Sequence, residues 1–242
     1  MNPRFIDYSD VLMDSFVKNA KGSDVVNKKK SILFDILRHY SLDLDDILFV
    51  GFNPWMLAMG DKPFRVAEAS DKVIDWLKTQ GCDCELVDVI NVVPKSSSIV
   101  VATDEYFTFA ETDQEQRLLV DQLSQVARNL IVTTLRDYKN QDYKDREFSQ
   151  PLVISGDTEN VIYLEYYKYD FQDKNSSTST TYAISDKLET YGPFARRNMY
   201  FKQLAKFSMD AGAETFYVHK NLMYKSLIKK NYEHIITIKF SG

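Results

Sequence analysis

The stretch Asp45–Ser70, DDILFVGFNPWMLAMGDKPFRVAEAS, constrains this chain more than any other part of it. It opens on an uninterrupted apolar run, Ile47-Leu48-Phe49-Val50, held between Asp45-Asp46 and Gly51. The run is too short for a helix and has no polar side to turn to water. Such a segment is a strand buried on both faces, as in a parallel sheet covered by helices. Gly51-Phe52-Asn53-Pro54 then turns the chain, and Trp55 to Met59 suits a short helix stopped by Gly60 and Pro63. Phe64 to Ala67 reads as a second strand, with Glu68 at its tip. A strand, a glycine turn, a helix, a strand and a carboxylate make up the physical recipe for a nucleoside site. The turn lets backbone N–H groups approach the ligand, and the acid accepts hydrogen bonds from ribose hydroxyls.

The rest of the chain extends the alternation. Residues 8–19 and 24–40 predict two helices; the second lines up Val25, Ile32, Leu33, Ile36, Leu37 and Tyr40 on one face. Its Lys28-Lys29-Lys30 run, without aromatic neighbours, reads as a solvated helix face. Ser70 caps a helix that ends at Gly81. Cys84 to Val89 is a third strand carrying Asp88, and Ile99 to Thr103 a fourth that delivers Asp104-Glu105-Tyr106-Phe107 beyond its tip. Thr112-Asp113-Gln114-Glu115 is a capping box, its helix runs through Leu123 and Val126, and a fifth strand covers Leu130 to Thr134. Strands and helices alternating at this spacing predict an α/β fold with a mostly parallel sheet and helices on both faces.

The pattern then breaks. Residues 136–150 are polar and suit a loop or an exposed helix. Val161 to Tyr169 and Thr181 to Ser185 predict a β-hairpin joined by a Ser/Thr-rich turn, Asn175 to Thr180. Its tyrosines suit either a half-packed sheet or a stacking platform for substrate. Arg196 to Ala211 predicts a helix, and Glu214 to Lys220 and Ile235 to Phe240 close the chain as strands. With no long linker, the 242 residues are expected to form a single domain. Residues 1–44 would be its N-terminal helices and 155–195 an insertion after the fifth strand, placed as a lid.

Composition narrows the function. Thirty Lys and Arg against 35 Asp and Glu leave a net charge of −5, which argues against a general nucleic-acid coat. Cys82 and Cys84, one residue apart, suit a reducing compartment rather than a disulfide framework, so a soluble cytoplasmic protein with no membrane partner is expected. His39, His219 and His234 show no metal-ligand spacing, and no Gly-x-Ser-x-Gly elbow or phosphate-binding glycine loop is present.

The five β-α units, the carboxylate after the second strand, and RRNMYFKQLAKFSMDAGAETFYVHK followed by HIITIKF resemble the class I S-adenosylmethionine-dependent methyltransferases. The resemblance covers residues 45–135 and 196–240. It implies a Rossmann-like sheet of seven strands whose last, HIITIKF, is antiparallel, and S-adenosylmethionine as cofactor. By that resemblance Gly51, Phe52 and Asn53 lie at the methionine end, Glu68 holds the ribose, and Asp88 and Val89 flank the adenine. Asp104, Glu105 and Tyr106 take the post-fourth-strand position that faces the methyl acceptor. The chain departs from the family in its glycine turn, reduced to Gly51-Phe52-Asn53-Pro54-Trp55, where Pro54 removes one N–H.

FVGFNPW also resembles the Asn-Pro-Pro-aromatic turn of amino-methyltransferases, with one proline missing, and the Gly-x-Asn-Pro turn of uracil-DNA glycosylases. The second needs a late histidine loop, whereas His219 and His234 sit inside predicted strands. Two functions stand: methyl transfer to a nucleic acid, protein or small-molecule acceptor, or a catalytically inactive relative that keeps the sheet as a structural or protein-interaction module.

Overall fold

The computed structural model describes residues 9–10, 13–14, 22–67, 69–88, 94–103, 106–136, 146–148, 152–155, 160–170, 175–225 and 232–241. Four of them, Ile47–Val50, form β1, and its side chains are at most 1% exposed. β1 pairs in parallel with β2 (Phe64–Ala67) on one side and β4 (Ser97–Ala102) on the other. β3 (Cys84–Val87) extends the sheet beyond β2, and β5 (Ala127–Arg136) extends it beyond β4. β12 (Tyr232–Phe240) lies antiparallel between β5 and β11 (Ala213–Lys225). The order β11-β12-β5-β4-β1-β2-β3 is a seven-stranded, mostly parallel sheet, as expected, with its antiparallel strand where HIITIKF was predicted.

Side-chain alternation divides the core into two layers. Ile47, Phe49, Ile99, Val101 and Val132 face the layer of α1 (Gly22–His39) and α2 (Asp71–Thr79), which supply Leu33, Ile36 and Leu37, and Val73 and Leu77. Leu48, Val50, Val100, Ala102 and Ile131 face α3 (Asp113–Val126) and α4 (Phe201–Asp210), which supply Val120, Leu123 and Leu204. A hydroxyl chain, Tyr40 Oη to Thr237 Oγ1 at 2.6 Å and Thr237 Oγ1 to His219 Nε2 at 2.9 Å, ties the chain just past α1 to β12 and β11. Ser70 caps α2 through Val73 N–H. Thr112 caps α3 through Glu115 N–H, while the Glu115 carboxylate reaches back to Glu111 N–H rather than to the cap residue itself.

Beyond β5 the sequence reading needs correcting. A five-stranded antiparallel sheet, larger than a hairpin, stands between β5 and α4. It comprises β6 (Arg146–Phe148), β7 (Leu152–Ser155), β8 (Asn160–Tyr169), β9 (Ser176–Ile184) and β10 (Leu188–Arg197). The order is β10-β9-β8-β6, with β7 also paired to β8. The Ser/Thr-rich run expected to be a turn is the first half of β9. Its buried Ser177, Ser179 and Thr181 alternate with half-buried Ser176, Thr178 and Thr180, a period of two that β-branched threonines favour. Arg196 and Arg197, expected to open a helix, end β10 instead, and α4 starts at Phe201.

At the amino edge of the large sheet, Asp46 links four strands. Its carboxylate accepts from Arg65 of β2 at 2.5 Å, Arg128 of β5 at 3.1 Å and the Ser98 amide of β4 at 2.9 Å, while its backbone leads directly into β1. Its φ of 60° is left-handed, a conformation aspartate tolerates better than most residues. Asp46→Ala is expected to cost about 1–3 kcal/mol, the range for losing charge-assisted hydrogen bonds at a half-exposed site. Urea denaturation should show a lower midpoint at unchanged slope, with Asp46→Asn falling between the two.

Candidate active site

The strand order reverses between β1 and β4, and the carboxyl edge at such a reversal is where ligand crevices form in open α/β sheets. The parallel registers Val50 with Ala67 and Ala67 with Val87 carry Gly51 and Asp88 to that same edge. Gly51 makes the turn at φ 68°, where a side chain would be strained. Asp88, half-buried, directly follows β3.

The turn spends its amides inside the protein. Gly51 N–H donates to Ala67 O at 2.7 Å, Phe52 N–H to Ser9 Oγ, Trp55 N–H to Asn53 Oδ1 at 2.9 Å, and Met56 N–H to Asn53 O at 2.9 Å. The short helix predicted here is a 3-10 turn, Pro54–Met59, with Asn53 as its side-chain cap. Phe52, Trp55 and Met56 are buried beneath it, with the Phe52 ring edge-on to Trp76. The N-terminal segment lies over this corner: Asp10 accepts from the Ser70 hydroxyl, Asp14 pairs with Lys72, and Met13 is buried in the core.

Of the nine residues that the sequence reading placed in the site, Gly51, Asn53 and Asp88 stand at the carboxyl edge as just described, and Phe52 packs beneath it. Tyr106 opens a 3-10 turn after β4, Tyr106–Phe109, and is fully buried with its ring against Phe107 at 5.5 Å. Glu68, Val89, Asp104 and Glu105 lie outside the described residues.

What the sequence reading missed is the contact between the two sheets. Arg196, 3% exposed at the end of β10, donates from Nε to Ser179 Oγ at 2.9 Å and from Nη1 to Thr108 Oγ1 at 3.3 Å. Its guanidinium lies 4.4 Å from the Phe109 ring centroid, a cation–π contact. Beside it, buried Gln116 of α3 donates to Arg197 O at 2.8 Å and accepts from Gln203 of α4 at 3.0 Å. Arg197 pairs with Asp113, and Ser177 donates to Asn198 Oδ1 at 3.2 Å. The small sheet is thereby fastened to the turn that follows β4. Between the two opens a cleft of about 560 Å³, lined by Ala110, Glu111, Tyr169, Asp170, Ser177 and Arg196 among others. The sequence signal for this wall was the Ser/Thr run itself, which supplies Ser176, Ser177 and Thr178 to it.

No protein-family model matches the sequence, and no curated protein matches it either. Solved structures do. An S-adenosylmethionine-dependent methyltransferase from Clostridium acetobutylicum superposes with a TM-score of 0.67 at 11% identity, over 96% of this chain and 99% of that one. An amino pentose methyltransferase from Micromonospora echinaspora gives 0.66 at 10% identity, over 95% and 96%. A sugar N-methyltransferase from Streptoalloteichus gives 0.66 at 10%, over 95% and 93%. At these identities the likeness is one of fold, and the fold is that of the class I S-adenosylmethionine-dependent methyltransferases.

Arg196→Ala is expected to cost about 1–3 kcal/mol for each buried hydroxyl that loses its donor, with a further loss from the packed stem. Native-state proteolysis should then cut within 146–197 faster than in wild type, while the large sheet stays protected; Arg196→Lys should recover part of that protection.

Proposed function

We propose that this chain transfers a methyl group from S-adenosylmethionine to a small polar acceptor seated in the cleft between the small sheet and the turn after β4. That cleft lies beside the turn that follows β4, one of the two strands at the reversal of strand order, and this placement carries the reading. When bound, the cofactor supplies a methyl group activated on a sulfonium. The chain's own part is to hold the two reactants in line and to accept the proton that the acceptor gives up. Gly51, Phe52 and Asn53 would frame the methionine end, Glu68 the ribose, and Asp88 with Val89 the adenine. Asp104 or Glu105 would orient the acceptor or take its proton, with Tyr106 packing on the acceptor. The small sheet would act as the lid that selects the acceptor.

The residues fit the nucleoside half of the cofactor better than its amino-acid half. A glycine turn and a carboxylate at neighbouring strand tips suit a ribose and a base. Four amides of the turn already donate within the protein, so the cofactor's carboxylate must draw on other donors. Binding free energy is thereby concentrated on the acids at the strand tips. As for the acceptor, the cleft wall combines hydroxyls with both signs of charge, Glu111 and Asp170 against Lys168 and Arg196. That lining suits a polyhydroxylated molecule bearing an amine. The amino pentose and sugar N-methyltransferases among the structural neighbours support the same class.

Calorimetric titration with S-adenosylmethionine and S-adenosylhomocysteine should show binding to the wild type. Each hydrogen bond to a charged acceptor contributes roughly 1.5–3 kcal/mol. Glu68→Ala should therefore weaken binding about tenfold to a hundredfold or more, and Glu68→Gln less, because the amide keeps one acceptor oxygen. No heat and no thermal shift at millimolar ligand would overturn the reading, leaving the inactive interaction module. Binding indifferent to Glu68→Ala would place the ligand elsewhere.

Turnover is the second measurement. With an amino sugar as acceptor, Asp104→Asn should cut the rate of S-adenosylhomocysteine release while cofactor affinity stays within a few-fold of wild type. An unchanged rate would assign Asp104 to a solvated loop.

A further inference from the structure

The cleft does not end the surface that lines it. Lys168, Thr178 and Ala195 stand opposite one another on β8, β9 and β10, and all three line the cleft. Side chains alternate along a strand, so every second residue from these belongs to the same face of the sheet. The next row on that face is Phe148, Tyr166 and Thr180. Leu164, Tyr182 and Thr190 follow, and then Ile162, Ile184 and Leu188.

Polarity changes along this face in one direction. Lys168 stands at the cleft end, with Glu111 and Asp170 also in the lining. None of the nine residues in the three rows beyond is charged. Leu188 is 65% exposed and Phe148 59%, and the Phe148 and Tyr166 rings stand 4.9 Å apart. Apolar side chains gathered on one exposed face mark a binding surface. Its size selects the occupant. Three strands by three rows span roughly 14 by 13 Å, on the order of 200 Å². A specific protein partner covers about 800 Å². A patch this small fits an alkyl chain or a few rings.

We propose that the acceptor is amphipathic: its polar, amine-bearing head sits in the cleft, and an apolar body continues from it over Tyr166, Leu164 and Tyr182. The inference rests on the reading of the cleft as the acceptor site and extends it to a larger molecule. The order of the rows fixes the direction of the body. Laid on the charged end it would desolvate Lys168, Glu111 and Asp170 without giving them partners. Laid on the neutral rows it removes apolar surface from water, and a tyrosine ring can cover it while keeping a polar tip at the solvent. Binding free energy gained there, away from the reacting amine, helps to hold that amine in line with the methyl group.

Calorimetric titration of the full chain with the methyl, butyl and octyl glycosides of glucosamine, at submicellar concentrations, tests this without requiring turnover. Affinity should climb about twofold per methylene on a face that covers one side of the chain, and more than tenfold from methyl to octyl. Tyr182→Asp and Leu164→Lys, of opposite charge, should each flatten the climb, whereas Tyr182→Phe should keep it. Leu118→Lys, at an exposed leucine on α3, should keep it too. If the charged variants fail to fold, the wild-type series decides. Affinity indifferent to chain length overturns the proposal and leaves the amino-sugar reading of the cleft standing. A climb that persists in both charged variants also overturns it, and seats the apolar body elsewhere. If S-adenosylmethionine binds and none of the glycosides does, the assignment of the cleft falls, and this inference with it.

Discussion

Burial of β1 on both faces is the constraint on which the rest of the structure depends. Ile47 and Phe49 need a helical layer on one side, and Leu48 and Val50 need another on the opposite side. A strand so placed must be central, which puts β2 and β4 on its two flanks and the reversal of strand order beside it. The expected place of a ligand crevice, at the carboxyl edge, follows from that reversal. So does the demand at the amino edge, where β2, β4 and β5 converge on the start of β1 and the Asp46 carboxylate joins them.

The turn after β1 is held by the protein's own groups. Pro54 and the buried Trp55 turn the segment into a self-capped 3-10 plug, with Asn53 supplying the cap that a glycine loop would leave to a ligand. Ser9, from the start of the chain, takes the Phe52 amide. A buried N–H must find an acceptor, and here the protein supplies it. These four turn amides therefore have acceptors without any ligand.

The second sheet makes the site composite. Arg196 sits between Ser179 of the small sheet and Thr108 of the turn after β4, with the Phe109 ring beneath it, so one guanidinium spans the two layers. Small hydroxyl residues on β9 leave the room it needs. A bulky apolar strand there would have packed the sheets together and closed the cleft.

Local pattern was enough for most of the large sheet. Continuous apolar runs at 47–50 and 99–102, and the antiparallel 235–240 segment, announce strands without any knowledge of their neighbours. Ser70 and Thr112 announce the helix starts, because a cap forms with the residues immediately following it. The carboxyl-edge positions of Gly51 and Asp88 follow from the same strand ends. Where two distant segments had to meet, the local signal misled. Asn175–Thr180 has the composition of a turn and Arg196–Ala211 that of one helix, yet Ser177 and Ser179 are inner-face strand residues because Arg196, 17 residues beyond Ser179, needs their side of the sheet. Amino-acid preference acts over a few neighbours, whereas the cleft wall and the Arg196 clasp are set by cross-strand register, which the tertiary structure alone decides.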